Sequence, residues 1–191
     1  MRAERGQCAC TGPADLEHRP GRKTELLRAV ADRILLAAMD GYSAEGDWKQ
    51  RITALALRVR DAFGQQPRLA AVWGRYASSG TGSRLVMEEV LQALRASGLP
   101  DEEIPVCYHR IAVLIAALIA SEAGASTVTP EEREQGMELF RVAVLGADPD
   151  RFPALAHFAR DVRSLGADRR AAFEEILAAQ LAHVEAAVRP S

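Results

Sequence analysis

Nothing in this chain offers the paired cysteines of a disulfide or zinc framework, because it holds only three cysteines. Cys8 and Cys10, with His18 further on, make a C-x-C pair and one distant histidine, which lacks the second ligand pair of a structural zinc site. No metal is expected. Cys107 stands alone in a helical stretch and reads as a small buried hydrophobe. The stretch from Met1 to Arg22 has no apolar core, so no secretory signal is expected. The longest strictly apolar run, Ile111 to Ala120, is ten residues, about half of the ~20 that span a bilayer. A cytoplasmic chain with no membrane partner is expected. The formal net charge is −2, which excludes coating nucleic acid through an overall positive field but leaves room for a local basic patch.

Catalytic patterns are missing as well. There is no G-x-S-x-G elbow, P-loop, H-E-x-x-H or nucleotide fingerprint. Gly80-Thr81-Gly82 follows a helical segment rather than a strand, which makes it a poor phosphate cradle. Glu88-Glu89 and Glu131-Glu132 are sequence neighbours that face different directions, and His157 and His183 have no nucleophile nearby in sequence. Neither an enzyme nor a cofactor is expected.

What is present is a period of 3.6 from residue 24 onward, with no strand pattern. Leu26, Leu27, Val30, Ile34 and Ala38 share a face of a helix over 24–39, stopped by Gly41. Asp47 opens a second helix through Ile52, Leu55, Val59 and Phe63, ended by Gly64 and Pro67. Pro67 starts a short helix through Trp73 and Tyr76, residues 78–83 form a loop, and 85–96 form the next helix. Pro100-Asp101-Glu102-Glu103 reads as a helix start, with proline at the first position and acids facing the helix dipole. That helix runs to about Glu122. Helices over about 130–144, 153–165 and from 167 onward complete an all-α chain of roughly eight or nine helices with short connections. Ile111 to Ala120 is apolar on every side, and the last helix carries the stripe Phe173, Ile176, Leu177, Leu181 and Val184. Two such elements imply a deep core or a subunit interface.

Leu16, His18, Arg19, Lys23 and Leu26 form a short helical turn, a small basic segment and the opening of a long helix. This pattern resembles the recognition helix and connecting helix of tetracycline-repressor-like (TetR) transcription regulators. Glu17 stands where the family usually has tyrosine, and two helices usually precede a region that here has eleven residues ahead of Gly12. The resemblance implies an incomplete helix-turn-helix headpiece and connecting helix over 1–41, with a ligand-binding and dimerisation domain over 42–191. It implies a ligand-responsive regulator, a repressor binding double-stranded DNA as a homodimer, with His18, Arg19, Arg22 and Lys23 on the phosphates. The short headpiece predicts weak, unspecific DNA binding. A ligand-binding and dimerisation module that acts through protein partners stays open beside it.

The candidate pocket for a small hydrophobic or amphipathic effector is Trp73, Tyr76, Met87, Val90, Leu91, Tyr108 and His109, a mix of aromatic and soft apolar surface with a few polar tips. The candidate dimer interface, again by the resemblance, is Leu114, Leu118, Phe173, Ile176, Leu177, Leu181 and Val184, paired as a four-helix bundle.

Overall fold

The computed structural model describes residues 20–74, 80–126, 128–162 and 169–188. Eight helices lie among them: α1 (Pro20–Met39), α2 (Trp48–Gly64), α3 (Pro67–Trp73), α4 (Thr81–Ala96), α5 (Ile104–Ser126), α6 (Pro130–Leu145), α7 (Pro153–Val162) and α8 (Arg169–Ala187). The described residues contain no strand.

Local chemistry sets the boundaries. Asp47 and Gln50 form a reciprocal capping box: the Gln50 amide donates to Asp47 Oδ1 at 2.9 Å and the Asp47 amide to Gln50 Oε1 at 2.8 Å. Thr129 and Glu132 do the same for α6, at 3.2 and 3.0 Å. Gly98, at φ +84°, adopts the left-handed conformation that ends α4. The helix expected from Pro100 begins instead at Ile104, after a turn over 101–103. Pro105 has no N–H to donate back to Asp101, and the helix starts only where that loss costs nothing. α5 then continues to Ser126, past the expected end near Glu122, and Arg133 Nη2 donates to the Ala125 and Val128 carbonyls at 2.6 and 3.2 Å near its C-terminus.

In length and composition α5 could cross a membrane, but its Ile104, Cys107, Ile111, Ile115, Ile119 and Ala123 are buried in the protein's own core. It packs against α2, α3, α4 and α8. Phe63, Leu94, Ile111, Phe173, Leu177 and Val184 are at most 1% exposed, and among the described residues no polar or charged residue is buried.

The expected face of α1 is right in part, since Ala38 is buried and Leu27 and Ile34 pack against the core. Ala31, Leu35 and Ala38 are buried against α2 and α4, while Leu26 and Val30 are exposed. α6 and α7 pack chiefly on each other. This hairpin buries Val144 and Ala159 and leaves Leu139, Val142 and Phe158 more than half exposed.

Candidate ligand-binding cavity

Between α2, α4 and α5 lies a cavity of about 330 Å³, lined also by Trp73 of α3 and Leu35 of α1 and partly open to solvent. Small residues leave room along its wall: Ala56 on α2, Gly74 after α3, and Ala112 and Ala116 on α5. Around these gaps stand Ile52, Leu55 and Val59 from α2, and Val86 and Val90 from α4. Trp73 forms part of the wall and stacks on Phe63, with ring centroids 4.3 Å apart and planes at 27°. The volume falls at the lower end of the range for small-molecule sites.

The polar features are sparse. Tyr108 lines the cavity from α5, is half-buried, and its phenol is pushed above its ordinary pKa by burial. Ser83 lines it from the first turn of α4. No lysine, arginine, aspartate, glutamate or histidine contributes to the wall among the described residues.

Trp73, Met87, Val90 and Tyr108, expected from the sequence, line this one cavity. His109 and Leu91 do not. A step of one residue turns a helix by about 100°, so with Tyr108 inward His109 is exposed, and with Val90 inward Leu91 packs against the core beside the cavity. Tyr76 lies outside the described residues. Sequence reasoning missed Ser83 and the inner face of α5. The available signal was the alanine spacing Ala112 and Ala116, one turn apart on a helix otherwise rich in branched residues.

The interface expectation needs correction. Phe173, Leu177, Leu181 and Val184 are 0–2% exposed within a single protomer and pack in the same core as α5. They cannot also face a partner. An apolar stripe looks the same in sequence whether its cover is α2 and α5 of its own chain or a second subunit. Leu114 and Leu118 are half-buried and Ile176 is 42% exposed. Of the cationic residues, Arg22 and Lys23 lie exposed in the first turn of α1, which starts before the expected Thr24. His18 and Arg19 lie outside the described residues.

The cavity is joined to α1 by a short polar link. The Asp32 carboxylate accepts from the amides of Ser83 at 2.9 Å and Gly82 at 3.3 Å, at the N-terminus of α4. The helices approach closely there because residue 82 has no side chain: a Cβ on Gly82 would sit 2.3 Å from the Asp32 carbonyl oxygen and 2.5 Å from the Leu36 nitrogen. At the other end of α1, the Tyr42 hydroxyl donates to Glu89 of α4 at 3.1 Å, and Arg51 of α2 donates to the same carboxylate at 2.9 Å. Burial first, and the Glu89 charge second, push the Tyr42 phenol up to about 12.

Comparison with known proteins bears on this architecture. The family described as tetracyclin repressor-like, C-terminal domain, matches residues 41–188. No curated protein matches the chain. A Streptomyces coelicolor A3(2) protein described as a candidate transcriptional regulator is 68% identical, covering 92% of this chain and 82% of that one, with a TM-score of 0.75. The TetR regulator SCO7222 of Streptomyces coelicolor is 26% identical over 94% of this chain and 84% of its own, with a TM-score of 0.72. ActR of the same organism, in complex with actinorhodin, is similar in fold: 22% identity over 92% of this chain and 81% of that one, TM-score 0.73. With most of its length matched in this way, the chain belongs to the tetracycline-repressor-like family of transcriptional regulators.

Proposed function

We propose that this regulator is a cytoplasmic homodimeric repressor that binds double-stranded DNA and is released when a small hydrophobic or amphipathic molecule enters the cavity between α2, α4 and α5. Residues 42–191 hold the effector and the partner subunit, and residues 1–41 carry the DNA side, with Arg22 and Lys23 available to phosphates. The observation that carries the reading is the position of α4. It supplies Ser83, Val86, Met87 and Val90 to the cavity wall and is held at its first turn by Asp32 of α1. A ligand that displaces α4 therefore displaces α1, which leads toward the DNA-binding end. A protein of this fold, ActR, has been seen with actinorhodin bound, which supports a sensor role for the fold.

Exposed apolar surface supports a homodimer. Leu139, Val142 and Phe158 of the α6–α7 hairpin and Ile176 of α8 are each at least 42% exposed, apolar surface that a partner subunit would cover. The test is a fluorescence-anisotropy titration of the chain against duplex DNA from its own upstream region, at physiological salt. Binding that weakens when the cavity is filled supports the repressor reading. Binding unchanged at full occupancy, or no binding to any duplex, sinks it in favour of a module that acts through protein partners.

A further inference from the structure

The polar groups of the cavity narrow the chemistry of its ligand. This inference rests on the sensor reading above and goes beyond it. Two hydroxyl-bearing residues line an otherwise apolar wall from different helices: Tyr108 on α5 and Ser83 on α4. The Tyr108 hydroxyl has no hydrogen-bond partner among the described residues; a phenol is protonated at neutral pH, and burial raises its pKa further, so the group is a donor. Ser83 Oγ is closed off from bulk water and also lacks a partner among the described residues. Rotation about a single side-chain torsion is all that changes its aim. A buried polar atom without a partner, such as Ser83 Oγ, is uncommon in native proteins and asks for a counterpart.

Charge completes the selection. Among the described residues the wall holds no cation to neutralise an acid and no carboxylate to hold an amine. Asp32, which meets the Ser83 amide, is engaged with the α4 N-terminus and offers the cavity no cation. Burying an unpaired charge in such a cavity is strongly unfavourable. We propose that the cavity selects an uncharged, largely apolar ligand carrying one hydrogen-bond-accepting oxygen, such as a ketone, and that the Tyr108 and Ser83 hydroxyls are the groups that read that oxygen.

Three naphthalene probes test this by fluorescence titration of the full chain. They are the neutral ketone 6-propionyl-2-dimethylaminonaphthalene, the ketone-free 2-dimethylaminonaphthalene, and the anionic 8-anilinonaphthalene-1-sulfonate. The wild type should bind the ketone probe best and the anion worst. Tyr108→Phe, which removes only the hydroxyl, should weaken the ketone probe by about fivefold to tenfold and leave the ketone-free probe unchanged. Ser83→Ala should act in the same direction. Equal losses for both neutral probes, no loss in either variant, or an anion bound as tightly as the ketone would overturn the proposal while leaving the cavity as a binding site. Failure of all three probes to bind the wild type would instead overturn the sensor reading itself.

Discussion

Gly82→Ala is the substitution that most sharply separates a helix contact of functional consequence from an ordinary one. Within a helix, alanine is favoured over glycine by about 1 kcal/mol. At position 82 the new Cβ would lie 2.3 Å from the Asp32 carbonyl oxygen and 2.5 Å from the Leu36 nitrogen. Both are backbone atoms of α1, so relief requires the two helices to separate by about 1 Å to reach ordinary contact. Such overpacking costs about 1–3 kcal/mol, and separation also strains the Asp32 cap, worth ~0.5–2 kcal/mol. The net expectation is a loss of about 1–3 kcal/mol, at roughly 2–4 °C of Tm per kcal/mol for a chain of this size. Gly136 supplies the control, because it lies inside α6 with nothing within 4 Å of a Cβ. Gly136→Ala should therefore raise stability by up to about 1 kcal/mol. Thermal and urea unfolding of the two variants should move in opposite directions. If Gly82→Ala stabilises as Gly136→Ala does, α1 and α4 are not packed as described, and the route from cavity to α1 is wrong.

Other outcomes follow from the corrected core and from the Tyr42 network. Leu139→Glu with Val142→Glu, on the exposed face of α6, should yield a folded monomer by sedimentation and circular dichroism, whereas Leu177→Ala should cost about 2–5 kcal/mol of stability without a specific effect on assembly. A wild type that sediments as a monomer at micromolar concentration would refute the dimer. The Tyr42 phenol is raised from 10.0 to about 12, so folding favours its neutral form. Its contribution is complete below pH ~10 and is lost as the pH rises through 12. Tyr42→Phe should flatten the fall of stability between those values, and parallel alkaline unfolding of wild type and variant would show that the Glu89 contact contributes nothing.

Much of the fold was legible because helix signals are local. The Asp47 cap, the Pro67 and Pro130 starts and the 3.6 period all act within a few residues. What failed was part of the α1 face and the partner of α8. Leu26 and Val30 satisfy the α1 stripe as well as Ala31 and Leu35 do, and only the α2 and α4 surfaces decide between them. In the same way, nothing local shows that α8 turns Leu177 and Leu181 toward its own α5. The aromatic anchors of the cavity were readable as residue types, but Ser83 matters only through two distant facts: Asp32 at its amide and a hydroxyl without a partner. Those are tertiary facts.

Filling the cavity should move α1. Spin labels placed at Lys23, exposed in the first turn of α1, with Cys8 and Cys10 replaced by serine, report the distance between the two α1 helices of a dimer by pulsed electron resonance. Saturation with the neutral ketone probe, monitored by its own fluorescence, should shift that distance by at least about 1–2 Å, the scale of helix displacements in switching proteins. Full occupancy with an unchanged distance distribution would contradict it.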